Sequence, residues 1–312
     1  MAWQRPYAGV WGVLLAGGDG IRLQPLTRRI EGDTRPKQFC RILGDESLLT
    51  HTRRRIRPLF DPGTVIAVVT KKHERFYSRQ LNDLPKRAVI VQPENRGTGV
   101  AIATAILTLR ELESEAIVAA FPCDHHYRNE RAFLDAVEAG IVVARSNSDA
   151  IVLLGADATY PEMEYGWIEP VQALGRGTSL APSRVRQFWE KPILATAEDL
   201  QRRGCLWNTF VTIGRVSTFV DVLCQAAPSA VISLSSGILE NDLDSAYRSI
   251  PSIDFSRDVL ASQPERLLVI RDAVSGWTDL GSPSRVFDTL ARERIAPAWL
   301  NSIRGVEAPV AS

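Results

Sequence analysis

Short continuous apolar runs alternate with segments of helical periodicity through the first half of the chain. Residues 10–16, 64–70, 88–92, 116–121 and 150–155 are runs rich in Val, Ile, Leu and Ala, the pattern of strands covered on both faces. Between them, residues 47–57, 73–82, 102–112 and 129–145 repeat apolar positions at helical spacing, and Pro58 closes the first of these segments. Strands alternating with helices predict βαβ units, hence an α/β fold with a Rossmann-like mixed, mostly parallel sheet flanked by helices. Beyond residue 155 the rhythm changes without an obvious linker. Residues 164–170 predict a short strand and 185–192 its returning partner, with 172–182 as the Gly/Ser/Pro-bearing turn between them. A helix over 195–203 stops at Gly204. Residues 221–243 predict helices broken by a polar turn at Ser235-Ser236-Gly237, and 266–270 a last strand.

The residues with chemistry cluster where these strands end. Residues 17–37 read GGDGIRLQPLTRRIEGDTRPK. Gly17, Gly18 and Gly20 let the backbone turn tightly and offer N–H groups to an oxyanion, and Arg22, Arg35 and Lys37 add positive charge suited to one polyphosphate. Leu23 stands where a dinucleotide fingerprint needs its third glycine, and no Gly-Lys-Ser/Thr follows to make a Walker A loop. After the third strand, Glu94, Asn95 and Arg96 offer acceptor, mixed and donor groups of the kind a purine edge requires, and Thr98 serves as helix cap or sugar contact. Asp124, just past a strand end, is placed to hold a divalent cation against phosphate oxygens. A zinc set of Cys123, His125 and His126 is the weaker reading, because neighbours on an extended segment point opposite ways. Glu190 and Lys191 pair an acceptor for sugar hydroxyls with an ammonium for a sugar phosphate.

Composition narrows the class. Lys and Arg total 37 against 36 Asp and Glu, so no global field draws nucleic acid or an anionic membrane. The four cysteines, at 40, 123, 205 and 224, show no CxxC spacing and read as reduced thiols of a cytoplasmic protein. The amino-terminal segment lacks the pattern of a secretory leader and no 18-residue apolar run occurs, so a soluble protein is expected.

The stretch Gly-Gly-x-Gly-x-Arg-Leu-x-Pro-Leu-Thr followed by Arg-Pro-Lys-Gln-Phe resembles the signature of the sugar-1-phosphate nucleotidylyltransferases, and Pro-Lys-Gln-Phe resembles their mannose-1-phosphate guanylyltransferase (GDP-mannose pyrophosphorylase) branch. Glu-Asn-Arg-x-Thr at 94–98, Tyr-Gly-x-Ile-Glu-Pro at 165–170, Phe-x-Glu-Lys-Pro at 188–192, Leu-Trp-Asn at 206–208 and Trp-x-Asp-x-Gly-Ser at 277–282 extend the similarity across about residues 10–287. The resemblance implies a GT-A-like nucleotidyltransferase domain over 1–290, with a nucleotide half (10–155) and a sugar-phosphate half (156–290). A short tail at 291–312 would take the place of a full C-terminal β-helix. It implies Mg²⁺-dependent transfer from GTP to mannose 1-phosphate, giving GDP-mannose and pyrophosphate by in-line attack. Arg22, Lys37 and Asp124 would be catalytic. Gly17, Gly18, Gly20, Glu94, Asn95, Arg96 and Thr98 would bind the nucleotide, and Gly166, Glu190, Lys191 and Asn208 the sugar phosphate. Asp124 and Asp279 would hold the metal. The partners would be these small molecules alone, without nucleic acid or membrane, and a homodimer is left open. The chain departs from the pattern at Gly99-Val100 for Ala-Pro, Cys123 for Ser, Thr209-Phe210 for Ser-Gly and Pro283 for Trp. The same chemistry with another pair, such as glucose 1-phosphate with UTP or dTTP, and a catalytically silent homologue that senses nucleotide-sugar are the alternatives.

Overall fold

The computed structural model describes residues 8–172 and 180–304, so most of the predicted turn at 172–182 lies outside the described residues. The strands are β1 Val10–Leu15, β2 Val65–Thr70, β3 Val89–Gln92, β4 Ile117–Pro122, β5 His126–Tyr127, β6 Ile151–Asp157, β7 Gly166–Pro170, β8 Ser183–Glu190, β9 Leu206–Arg215, β10 Leu267–Asp272 and β11 Trp277–Thr278. Nine of them form one sheet in the order β3-β2-β1-β4-β9-β6-β10-β8-β7, and β5 pairs with β11 in a separate ribbon. Neighbours from β3 to β4 are parallel, as are β6 and β10. Strands β8 and β9 run against the rest. The sheet is therefore mixed and mostly parallel.

The helices are α1 Gln24–Glu31, α2 Leu48–Ile56, α3 Glu74–Tyr77, α4 Thr98–Leu112, α5 Glu130–Ser146, α6 Leu194–Arg202, α7 Val216–Ala226, α8 Pro228–Leu239, α9 Leu243–Ser249, α10 Pro283–Glu293 and α11 Ala298–Arg304. A continuous apolar strand serves two cores because alternate residues face opposite ways. All six residues of β2 are buried. Its Ile66 and Val68 pack with Ile102 and Ile106 of α4 and Phe219 of α7, while Ala67 and Val69 join Leu49 of α2 and Val137 and Ile141 of α5. Each fully buried Val or Ile contributes roughly 1.5–3 kcal/mol relative to exposure. This two-sided burial fixes the strand ends, and with them the loops they carry.

Two elements differ from expectation. The polar turn expected at 235–237 is instead part of α8: Ser235 Oγ donates to Val231 O at 2.8 Å, the bond that lets serine stay inside a helix. A Cβ on Gly237 would stand 2.7 Å from Ala246 Cβ, so the glycine admits close approach of α9. The helix expected over 73–82 is confined to α3, with hydrogen-bonded turns beyond it. A third cluster joins Leu23, Leu26, Ile42 and Leu48 to Leu280, Val286 and Leu290. Trp299 of α11 packs on it and donates to Ile42 O at 3.1 Å, so the end of the described chain braces the segment after β1. No helix among the described residues is long and apolar enough to cross a membrane.

Candidate active site

The loop after β1 is held by its carbonyl groups. Thr70 Oγ1 donates to Gly17 O at 2.7 Å, and Gln38 Nε2 donates to Ala16 O at 2.9 Å and Gly18 O at 2.7 Å. A side chain at residue 17 would collide, its Cβ 2.4 Å from Gln92 Nε2. Gly20 sits at φ 59°, and a Cβ there would press on Lys37 N at 3.0 Å. Gly17, Gly18 and Arg22 line a cavity of about 400 Å³, a size suited to a small-molecule site. Gly20 shapes the loop from behind it. Arg35 turns elsewhere: its guanidinium is bound by Asp33 at 2.9 and 3.0 Å and lies over the Phe76 ring.

Lys37, Asp124 and Asp279 meet beside this loop. Asp124 follows β4 directly, and the β5–β11 ribbon, pairing Thr278 with His126, carries Asp279 to it. The Lys37 ammonium is 3.3 Å from Asp124 Oδ2 and donates to Asp279 O at 2.7 Å. Asp279 Oδ1 accepts from Tyr165 OH at 2.8 Å, Gly281 N at 2.9 Å and Arg285 Nη1 at 3.0 Å. Burial opposes ionisation of Asp279, but Lys37 and Arg285, with smaller help from His125 and Tyr165, outweigh it and hold the carboxyl below its usual range. Trp277 Nε1 donates to His125 Nδ1 at 3.1 Å, which puts the proton of the neutral ring on Nε2, 3.5 Å from Asp124 Oδ1. Burial pushes the His125 pKa down despite Asp124.

The donor set distinguishes two cations. No group of three or more His, Cys, Asp or Glu side chains able to hold a metal occurs among the described residues. Zinc is poorly served. Cys123 is fully buried with its thiol pushed well up by burial, and His126 lines a separate cavity with His51, Arg54 and Tyr127. Mg²⁺ usually takes one or two carboxylates and completes its shell with phosphate and water, and Asp124 and Asp279, both lining the main cavity, fit that requirement.

The same cavity is lined by Gly166, Glu190, Lys191 and Asn208. Gly166 of β7 pairs with Glu190 of β8, and a Cβ on it would come within 2.9 Å of Glu190 Oε2 and Phe188 Cζ. Lys191 follows at φ 46°, its N–H donating to Tyr165 O at 3.1 Å and its ammonium 2.9 Å from Glu190 Oε1. Burial pushes the Glu190 pKa up, with Lys191 opposing. Phe210, two residues past Asn208, holds φ 63° and lines the cavity. That backbone costs a bulky L-residue roughly 1–2 kcal/mol and costs glycine almost nothing. Across the mouth, Arg22 Nη1 is 2.6 Å from Glu164 Oε2, so an incoming phosphate competes with a carboxylate for this guanidinium.

Of the residues expected at the base, Asn95 and Thr98 line the cavity, whereas Glu94 and Arg96 pair with each other at 2.7 Å outside that lining. Residues 251–256 close against this loop: Ile253 N donates to Arg96 O at 2.9 Å, Gly99 N to Ile253 O at 2.8 Å, and Phe255 N to Thr98 Oγ1 at 2.9 Å. Asp254 and Ser256 thereby reach the cavity. The Gly99 departure follows from this contact, because a Cβ there would be 2.5 Å from Ile253 Cγ2. Gly99→Ala is expected to destabilise the fold by about 1–3 kcal/mol, read as a lower urea midpoint with unchanged slope.

A profile of the Nucleotidyl transferase family matches residues 11–294. The chain belongs to the nucleotidyl transferase family. Among relatives, the xanthan biosynthesis protein XanB of Xanthomonas campestris pv. campestris is 30% identical over 88% of this chain and 58% of its own length. The mannose-1-phosphate guanylyltransferase ManC of Salmonella typhimurium is 28% identical over 89% of this chain and 59% of its own. The nucleotidyl transferase chain thus spans less than two thirds of these relatives. The crystal structure described as mannose-1-phosphate geranyltransferase from Thermus thermophilus superimposes with TM-score 0.78 at 26% identity, covering 89% of this chain and 79% of that one. Sequence reasoning passed over Gln38 and Glu164 as individual residues of the cavity lining, and altogether over Arg285, which stands behind the cavity against Asp279 and Tyr165. Tyr165 lay inside the Tyr-Gly motif. Arg285, in the first turn of α10, carried no signal, since its partners Asp279 and Tyr165 are brought to it only by the fold.

Proposed function

We propose that the chain transfers a guanylyl group from GTP to mannose 1-phosphate, yielding GDP-mannose and pyrophosphate. The observation that carries this reading is the lining of one cavity by the glycine loop and Arg22, by Asp124 and Asp279, and by Gly166, Glu190, Lys191 and Asn208. Family membership supports nucleotidyl transfer, and relatives named mannose-1-phosphate guanylyltransferase support the substrate pair. In this reading the first half of the domain holds the nucleotide and the second the sugar phosphate. Arg22 leaves Glu164 to bind the β and γ phosphates with the loop. Asn95 and Thr98 meet the nucleoside, with Glu94 and Arg96 at its rim. Glu190 and Asn208 hold sugar hydroxyls while Lys191 neutralises the sugar phosphate. A phosphate oxygen of the sugar attacks the α-phosphorus in line, forming one P–O bond as that to pyrophosphate breaks opposite. Lys37 stabilises charge gathering on the α-phosphate, and catalysis is by positioning and fixed charge without a covalent enzyme intermediate. Mg²⁺ on Asp124 and Asp279 would neutralise phosphate oxygens. The cytoplasm is the expected compartment, in keeping with four free cysteines.

Pyrophosphate release with Mg²⁺ and mannose 1-phosphate, compared across GTP, ATP, UTP, CTP and dTTP, tests the reading. Release with GTP alone is expected. Phe210 favours one second reading, the same chemistry on another sugar such as glucose 1-phosphate with UTP or dTTP, and the same nucleotide panel repeated with glucose 1-phosphate separates it. Silence with all five nucleotides and both sugar phosphates would refute nucleotidyl transfer and leave a sensing homologue.

A further inference from the structure

Strand β9 is bulged where it passes the cavity. Asn208 pairs with Gly155 of β6 and Thr212 with Leu153, so three residues of β9, Thr209 to Val211, stand opposite Leu154 alone. Side chains pin the irregularity: Thr209 Oγ1 donates to Leu154 O at 2.8 Å, and Asn208 Oδ1 accepts from Phe210 N at 3.0 Å. Within this bulge one residue, Phe210, adopts the left-handed region, where glycine is the default. Thr209 and Val211 on either side are fully buried, but Phe210 is half-buried on the cavity wall, with its ring edge-on to Phe255 at 6.2 Å. The bulge would form at lower cost with glycine, so the ring contributes nothing that the bulge requires. Its side chain lines the cavity instead.

The remaining lining narrows what the ring can act on. Asn208 and Phe210 line the cavity together with Gly166, Glu190 and Lys191. These are the groups the nucleotidyl-transfer reading assigns to the sugar phosphate, and the inference rests on that assignment. Glu190 and Asn208 supply polar contacts for hydroxyl groups, whereas Phe210 supplies an apolar surface. A pyranose offers a matching face of C–H groups, whose positive edges suit the negative face of an aromatic ring. The ring also fills room beside the sugar that a bulky acyl substituent at the pyranose rim would need, and a tight wall discriminates best against what cannot fit.

We propose that Phe210 is a specificity-determining residue of the sugar site, favouring unsubstituted hexose 1-phosphates and excluding N-acetylated hexosamine 1-phosphates. The test compares the full chain with Phe210→Gly and Phe210→Ala, using mannose 1-phosphate, glucose 1-phosphate and N-acetylglucosamine 1-phosphate. Pyrophosphate release gives kcat and KM, and calorimetric titration gives binding of each sugar phosphate. In Phe210→Gly the KM of the preferred hexose 1-phosphate should rise roughly tenfold, the KM of the nucleotide should hold, and N-acetylglucosamine 1-phosphate should gain at least tenfold relative to the hexoses. Phe210→Gly should also melt above Phe210→Ala, because glycine relieves the backbone. An unchanged ratio between sugars, or a shift confined to the nucleotide KM, would overturn the proposal. If the wild type turns over no pair, nucleotidyl transfer fails separately, and relative sugar-phosphate binding by wild type and Phe210→Gly still decides the role of the ring. Binding of none of the three by either protein would overturn both.

Discussion

Lys37→Ala is expected to lower kcat by roughly 10²–10³-fold, the size seen when one preorganised charge-stabilising donor is removed, while the KM of both substrates changes little. The argument begins with where the ammonium is held. Lys37 is buried, donates to Asp279 O at 2.7 Å and lies 3.3 Å from Asp124 Oδ2. A charge fixed by a backbone carbonyl before substrate arrives needs no reorganisation when charge builds on the α-phosphate, so its effect falls on kcat. Lys37→Arg should not rescue, because Asp279 O, Leu280 O and Asp124 Oδ2 all lie within 3.5 Å of Nζ and leave no room for a planar fork. Steady-state kinetics with a thermal melt on each variant checks this. A near-normal kcat in Lys37→Ala would remove Lys37 from the mechanism.

The parts of this site that the sequence displays are those built from local chemistry. Continuous apolar runs gave β1, β2 and β4 because two-sided burial needs apolar residues at consecutive positions. The glycine loop and Asp124 were legible because they follow those strands directly. What stayed hidden depends on residues far apart in sequence. Strand β8 was legible as the return of β7, but its second partner β10, and the place of β9 between β4 and β6, come from pairings that no local pattern encodes. Glu94 and Arg96 look equivalent to Asn95 in sequence, yet they neutralise each other outside the cavity, because adjacent loop residues cannot all face one ligand. Arg35 reads as a third phosphate cation until Asp33 takes its guanidinium. Gly99 and Phe210 both appear in sequence as departures, but the fold separates them. Gly99 makes room for Ile253, whereas Phe210 occupies a bend that glycine would fill at less cost.

Asp124→Asn and Asp279→Asn are both expected to lower kcat by roughly 10³-fold, through loss of several kcal/mol of charge stabilisation at the phosphates, but only the second should also unsettle the fold. Asp124 is 29% exposed and its neighbours are the Lys37 ammonium and the neutral His125 ring, so an amide there leaves the ammonium still bound to Asp279 O. Its stability should stay within about 1 kcal/mol of wild type, well short of the cost of breaking a buried pair. Asp279 is only 14% exposed, and one of its oxygens accepts from Tyr165, Gly281 and Arg285 together. Neutralising it leaves the Arg285 guanidinium with Glu162 at 3.7 Å as its remaining carboxylate, and a broken buried pair costs about 3–5 kcal/mol. Urea denaturation and titration with Mn²⁺ as a spectroscopic substitute for Mg²⁺ separate the two effects: both variants should bind the cation more weakly, and only Asp279→Asn should lose midpoint. Equal destabilisation by both would make Asp124 a structural carboxylate, and undiminished cation binding in both would take the metal away from this pair.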